Sequence, residues 1–327
     1  MRAFAYARPT DVREALQLRG EDEGAGYLAG GTNLVDLMKD GVERPSKLID
    51  VRQLPLAGVR EEADGSLFIG STTSNSDAAA DLDVRRRYPA LSEAVLAGAS
   101  GQLRNMATVG GNLLQRTRCA YFADPSEPCN KREPGRGCAA ISGVHHNHAI
   151  LGWSTHCVAT NPSDMAVALA AFDAVVRYET LQGSGSIPLS DFYLPVADTP
   201  HLETALPTGA LITGVSLPRS AISPDSRYRK VRERASYAFA TVSIAASLEL
   251  EDGFVRGARI ALGGVASRPW RASAAEAELL DGLAAAEQFR AAADAEIAAA
   301  EPLRDNAYKV TLARNLIEAV LTDLARV

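Results

Sequence analysis

The sequence predicts an α+β protein of two main parts, and three observations carry that prediction. At 327 residues the chain is long enough for two or three domains, each with its own core. Its first fifty residues alternate short apolar, strand-like runs with helical ones. Near residue 222, just before "SPDS", the composition changes. Gly-, Pro-, Ser- and Thr-rich connections give way to paired strand-like runs and then to Ala-, Glu- and Leu-rich helices.

In order, "PTDVREALQLR" reads as a helix capped by Thr10 or Asp11, with Ala15, Leu16 and Leu18 on its apolar side. "GYLAGG" is a strand, "NLVDLMKDG" a helix and "KLIDV" a strand. "SLFIGSTTSNSDAAAD" runs from strand through a polar turn into a helix, and "PALSEAVLAGAS" is another helix. "ATVGG" reads as a strand. "DMAVALAAFDAVVRYE" begins helical and ends as a strand. Residues 181–210 read as surface loops. "YAFATVSIAASLELEDGFVRGARIALGG" gives two strands joined at Asp252–Gly253. Ser273 is the expected N-cap of the next helix, and Val310, Leu312, Leu316, Ile317 and Val320 mark the last one.

Composition excludes some functions. A net charge of −6 leaves no global basic footprint for nucleic acid, and "VRRRY" and "RYRKVRER" read as solvated faces. No apolar run is long enough to span a bilayer. The N-terminus lacks the apolar core of a secretory signal, which predicts a cytoplasmic chain. There is no G-x-S-x-G and no H-E-x-x-H, so hydrolytic chemistry has no signature.

One local motif recurs: "AGGTNL" at Ala29–Leu34 and "VGGNLL" at Val109–Leu114. Paired glycines let successive backbone N–H groups point into one concavity, which suits an anion. The first motif also opens a helix, whose positive end adds to the attraction. Thr32, Asn33, Thr108 and Asn112 offer side-chain hydrogen bonds. Neither motif is a G-x-G-x-x-G or a Walker A loop. Two such loops would suit an extended pyrophosphate held from both sides.

All four cysteines lie in one stretch, spaced C-x9-C-x8-C-x18-C from Cys119 to Cys157. The crowding suggests a joint role, and a reducing compartment argues against structural disulfides. No C-x-x-C pair is present, which is unusual for a zinc ribbon. Four thiolates suit a [4Fe–4S] cluster. Zinc, disulfides or isolated buried thiols stay open from spacing alone, as does a mixed site with His145, His146, His148 or His156. Tyr121, Phe122 and Trp153 read as packing over whatever the cysteines hold.

"YLAGGTNLVDLMKDGVERPSKLIDV" with "RNMATVGGNLLQ" resembles the FAD-binding medium subunit of the molybdenum hydroxylases, the xanthine dehydrogenase, carbon monoxide dehydrogenase and aldehyde oxidoreductase enzymes. "NPSDM" at 161–165, "LITGVSLP" at 211–218 and "YRKVRERASYAFATVSIAA" at 228–246 extend the resemblance through the chain in order. It implies an α+β architecture with a two-part FAD-binding domain of the vanillyl-alcohol oxidase type over residues 1–221. The two parts divide near residue 55, with an inserted loop at 116–157. A smaller α+β domain of sheet and helices follows over 222–327.

The resemblance also implies site residues. Ala29, Gly30, Gly31, Thr32, Asn33, Leu34, Val35 and Asp36, with Thr108, Gly110, Gly111 and Asn112, would wrap the FAD pyrophosphate and ribityl chain. Asp164 would hydrogen-bond the cofactor. Lys230, otherwise one solvated residue in a basic run, would sit near the flavin and favour its anionic reduced form. The long segment between the "GGN" and "PSD" motifs resembles the loop of three-subunit bacterial aldehyde oxidoreductases and of the 4-hydroxybenzoyl-CoA reductase medium subunit. That implies Cys119, Cys129, Cys138 and Cys157 as [4Fe–4S] ligands.

The implied partners are a large subunit with a molybdenum–pterin cofactor and a small [2Fe–2S] subunit. Neither nucleic acid nor membrane insertion is implied, and co-export on a partner's signal would make the site of action periplasmic. Xanthine dehydrogenase and hydroxybenzoyl-CoA reductase assignments stand as alternatives within the family. A self-contained flavin oxidase and a zinc-stapled, non-catalytic assembly module stand outside it. No nicotinamide fingerprint is present.

Overall fold

The computed structural model describes residues 1–326, so Val327, the last residue of the expected C-terminal domain, lies outside it. The chain begins with β1 (Ala5–Ala7), α1 (Val12–Gly20), β2 (Ala25–Leu28), α2 (Leu34–Lys39) and β3 (Lys47–Asp50). These strands form a parallel sheet in the order β1-β3-β2. Asp11 is the cap of α1: its carboxylate accepts from Glu14 N at 2.8 Å. Glu14 reaches back to Thr10 N at 2.6 Å, so Thr10 joins the cap as a donor.

Next come β4 (Val59–Glu61), β5 (Leu67–Gly70), α3 (Asn75–Ala80), α4 (Leu82–Arg87), α5 (Pro89–Ala97), α6 (Gly101–Met106) and α7 (Val109–Leu113). The cysteine segment contributes only the short turns α8 (Ala120–Ala123) and α9 (Ala139–Ser142). After it run α10 (Asp164–Ala171), β6 (Val175–Thr180), β7 (Gly183–Pro188), α11 (Leu189–Phe192) and β8 (Leu211–Leu217). The second sheet, β4-β5-β8-β6-β7, is antiparallel. Its inner face joins α5 and α10 in one core containing Leu67, Ile69, Val215, Leu91, Val95 and Leu169.

The remainder is β9 (Ser226–Val231), β10 (Val242–Glu251), β11 (Phe254–Gly263), β12 (Trp270–Arg271), α12 (Ser273–Leu279), α13 (Ala286–Ile297) and α14 (Tyr308–Leu324). Its antiparallel sheet runs β12-β11-β10-β9. Asp252 (φ 51°) and Gly253 (φ 81°) make the expected tight turn between β10 and β11. Ile244, Ala246 and Leu248 pack on α13 and α14, while Ala245 and Ala261 belong to the core of the preceding domain. β10 is therefore buried on both faces, which is why it reads as a continuous apolar run rather than an alternation. Gly263 permits the close approach of α10, since a Cβ there would lie 2.6 Å from Val167 Cγ2.

Three expectations are corrected. "ATVGG" is not a strand: Val109–Leu113 is a short helix, because Thr108 Oγ1 caps it by accepting from Gly111 N at 3.2 Å. Residues 181–210 are not all loop, because Gly183–Pro188 pairs with β6 as the second arm of a hairpin. Ser273 is the first residue of α12; the cap position is Ala272 and makes no side-chain bond. Among the described residues, no helix is long and apolar enough to cross a membrane.

Candidate functional site

The two glycine motifs lie against each other, and glycine is what allows it. A Cβ on Gly30 would lie 1.9 Å from the backbone oxygen of Met106, and one on Gly110 would lie 2.9 Å from Ser71 Cβ. The loop after β2 thus presses on the segment entering α7. The two loops differ in what they leave free. The amides of Gly30, Gly31, Thr32, Asn33 and Leu34 make no hydrogen bond within the described protein. The amides of Val109, Gly110, Gly111 and Asn112 are all spent, on Thr73 O, Ser71 O, Thr108 Oγ1 and Thr108 O. Only the first motif is an open nest of donors. The second is a tightly packed wall beside it.

Other predicted side chains are partly committed to the protein. Asn33 Oδ1 accepts from Arg116 N at 2.8 Å, tying the first loop to the cysteine segment. Asn112 Oδ1 accepts from Ser163 Oγ at 2.6 Å and from Gln115 Nε2 at 2.8 Å, tying α7 to the cap of α10. Their carboxamide N–H groups remain as donors. Asp36 points to solvent beside Lys39, 3.8 Å away. Leu34 and Val35 are partly buried on the same turn.

Asp164 opens α10 and is almost completely buried. Tyr228 O–H donates to Oδ1 at 2.5 Å, and Lys230 Nζ donates to Oδ2 at 2.7 Å. Burial raises the Asp164 carboxyl pKa, while Lys230 and then Tyr228 oppose the rise. Lys230 is only 3% exposed, so its solvated reading is overturned. It shares the inward face of β9 with Tyr228, while Arg227 and Arg229 point to water. The period of two in "SRYRKV" carries this pattern in the sequence, and it is the signal that would have paired Tyr228 with Lys230.

Beside this pair lies a cavity of about 220 Å³, bounded by the start of α10, the cysteine segment and the β10–β11 edge. Asp164, Ser243, Gly263, Gly264, Cys119 and His148 all line it. Ser243 Oγ is buried there with no hydrogen-bond partner. An orphaned hydroxyl on a wall of glycines suits a flat, polar-edged ring system, so these residues fit an isoalloxazine.

The cysteines converge from separate turns. Cys129 and Cys138 face each other as an antiparallel bridge. Cys119 packs both with Cys129, Leu37 and Phe122 and with Cys157, Ala159 and Val196. All four are free thiols. Burial pushes Cys119 up to about 12 and Cys157 up to about 11, and the neighbouring cysteines add to the rise. Such thiols would ionise only with a cation to hold them. Among the described residues, no three Cys, His, Asp or Glu groups are gathered as a ready site for one metal ion.

Two of the four neighbouring histidines are engaged away from the cysteines. His145 Nδ1 bonds Ala140 O at 3.1 Å and its Nε2 accepts from Asp305 N at 3.1 Å, so both ring nitrogens are used. His146 pairs at the surface with Glu233. His148 Nε2 lies 3.1 Å from Cys119 Sγ, and burial lowers this imidazole to about 4. Trp153 Nε1 donates to Glu301 O at 2.7 Å. Phe122 is buried against Cys129, as expected.

The segment around His148 is latched to the C-terminal part. Lys309, fully buried on α14, donates through Nζ to the backbone oxygens of His148 (2.9 Å), Asn147 (3.3 Å) and Gly264. Asn306 Nδ2 donates to Ala149 O at 3.0 Å. Sequence reading missed both residues, since neither a lysine on an amphipathic helix nor an asparagine in the turn before it gives a sign of burial.

Comparison with known proteins bears on this arrangement. Residues 2–220 match the model of the FAD binding domain in molybdopterin dehydrogenase, and residues 226–324 match the CO dehydrogenase flavoprotein C-terminal domain. The aldehyde oxidoreductase FAD-binding subunit PaoB of Escherichia coli (strain K12) is 50% identical over 324 residues, covering 99% of this chain and 98% of that protein. The carbon monoxide dehydrogenase medium chain of Hydrogenophaga pseudoflava is 28% identical, covering 97% and 96%. The solved carbon monoxide dehydrogenase of Hydrogenophaga pseudoflava superposes with a TM-score of 0.77, covering 99% of this chain and 98% of the matched one. Quinoline 2-oxidoreductase from Pseudomonas putida 86, at 23% identity and the same TM-score, shares the fold.

The molecule is thus a flavoprotein of the oxidoreductase class. More narrowly, the chain belongs to the family of FAD-binding subunits of the molybdopterin dehydrogenases.

Proposed function

We propose that this chain is the FAD- and [4Fe–4S]-carrying electron-transfer subunit of a heteromeric molybdenum hydroxylase that oxidises aldehydes. The observation that carries the reading is that Cys119 and Asp164 line one cavity, so a cluster held by the cysteines would adjoin the flavin. The donor set supports a cluster over zinc. One zinc ion needs its four sulfurs about 2.3 Å from a single point, hence about 3.8 Å apart. The sequence offers no C-x-x-C pair to bring two sulfurs that close in one tight turn. A cubane gives each sulfur its own iron and tolerates a wider spread.

In this reading Cys119, Cys129, Cys138 and Cys157 hold the cluster. The free amides of Gly30 to Leu34 receive the FAD pyrophosphate, with Ala29, Thr108, Gly110, Gly111 and Asn112 as the adjoining wall. Asp164, kept in place by Lys230 and Tyr228, presents a carboxylate at the flavin cavity. Lys230 acts through Asp164 rather than by direct contact, because it does not line the cavity. Bound FAD supplies a two-electron carrier that also exchanges single electrons, which joins one-electron centres to an external acceptor. Residues 1–221 would form the FAD-binding domain and 222–327 the smaller one. The partners would be a molybdenum-cofactor subunit and a [2Fe–2S] subunit.

Aldehyde oxidation is favoured over xanthine oxidation by the relatives. PaoB matches over nearly the whole chain, whereas the putative xanthine dehydrogenase FAD-binding subunit XdhB of Escherichia coli (strain K12) matches 37% of it at 33% identity. An absorption spectrum of the purified protein tests the reading. Flavin bands with a broad brown shoulder, both bleached by dithionite, are expected. A colourless protein containing zinc contradicts it.

A further inference from the structure

His148 stands between the cysteine segment and the flavin cavity. Its Nε2 is 3.1 Å from Cys119 Sγ, and its ring lines the cavity that Asp164 and Ser243 also line. Its other ring nitrogen, Nδ1, is buried without a partner. An orphaned N–H is rarer than an orphaned lone pair, which favours the tautomer with its proton on Nε2, aimed at the sulfur. The backbone fixes this aim. His148 N donates to His145 O at 3.0 Å, and His148 O accepts from Lys309 Nζ at 2.9 Å and Asn306 Nδ2 at 3.3 Å. The C-terminal domain therefore sets the position of a hydrogen-bond donor to a cysteine of the inserted loop.

We propose that His148 is a positioning residue that donates its Nε2 proton to Cys119 Sγ and so tunes the metal centre on its flavin-facing side. The inference rests on the four-thiolate cluster reading. A hydrogen bond to a ligand sulfur disperses its negative charge and stabilises the more negative, reduced state of a cluster. The donor thereby raises the potential of the centre nearest the flavin. A residue that merely filled space would not.

The test is a redox titration, followed by EPR, of wild-type, His148→Phe and His148→Gln proteins purified anaerobically with their partner subunits. Phe keeps a ring but removes the donor; Gln keeps an N–H donor. The expected result is a lower cluster midpoint potential in His148→Phe at unchanged iron content, with His148→Gln returning most of the shift. A wild-type cluster whose potential is unmoved in His148→Phe overturns the inference alone. Absence of iron and sulfide from the wild type overturns the cluster reading and the inference together. If His148→Phe loses its iron, His148→Gln decides. A cluster retained at the wild-type potential supports the donor role, and loss of iron there too overturns it.

Discussion

Asp164 and Lys230 form an ion pair withdrawn from water at the junction of the two domains, with Nζ 2.7 Å from Oδ2 and side chains 8% and 3% exposed. Breaking a buried pair by removing one partner costs about 3–5 kcal/mol, because the other charge is left uncompensated. Lys230→Met should therefore lower stability by about that much in urea unfolding. The acid's pKa is raised by burial, so the folded state takes up its proton more readily than the unfolded chain. Its stability contribution falls as pH rises through the unfolded carboxylate range towards the raised folded value. Removing Lys230 should widen that acid-side decline. The double variant Asp164→Asn with Lys230→Met should recover much of the loss, since no buried charge then remains.

Gly30 carries the second prediction. Its missing Cβ would meet backbone at 1.9 Å, and backbone cannot step aside as a flexible side chain can. Gly30→Ala should separate the two loops, cost upwards of about 2 kcal/mol and yield protein with little bound flavin. Gly101→Ala is the control: it lies in α6 with nothing within 4 Å of the added methyl. It should be neutral or stabilising by up to about 1 kcal/mol, with normal flavin content. Flavin absorbance per protein and melting temperature read both.

Lys309 makes stability depend on alkaline pH. Burial lowers its ammonium from 10.5 to about 7. Between those values the unfolded chain binds the extra proton, so stability should rise with pH there, by at most about 1.4 kcal/mol per unit. Lys309→Met should remove that slope. It should also release the carbonyls of Asn147, His148 and Gly264, seen as faster amide exchange in residues 145–150.

Elements with a clear period or turn were legible in the sequence: the α1 cap at Asp11, the Asp252–Gly253 hairpin and the apolar face of α14. What the sequence concealed depends on tertiary context. Thr108 turns "ATVGG" into a helix by bonding Gly111 N, and a local motif cannot show that against its strand-like composition. The difference between the two glycine loops lies in where their amides bond, on Ser71 and Thr73 far earlier in the chain. His148 looked like one of a cluster of histidines. Its role as neighbour of Cys119 is set by Lys309 and Asn306, more than 150 residues away in sequence.

The proposed ligand role of the cysteines is tested at Cys129. Cys129 is buried beside Phe122 and Leu37, and a serine there would put a harder oxygen ligand into an apolar wall. Cys129→Ser should lower iron content and expose the loop to proteolysis while leaving part of the flavin bound, because the open amides of Gly30 to Leu34 lie on another loop. Loss of all flavin with no change in iron would invert the assigned roles.

The central claim is that the four cysteines hold a cluster next to bound FAD. The most direct test is iron, acid-labile sulfide and FAD analysis of anaerobically purified protein. The account predicts about four iron and four sulfide per FAD. Stoichiometric zinc, or full flavin with no iron and four thiols open to alkylation, would contradict it.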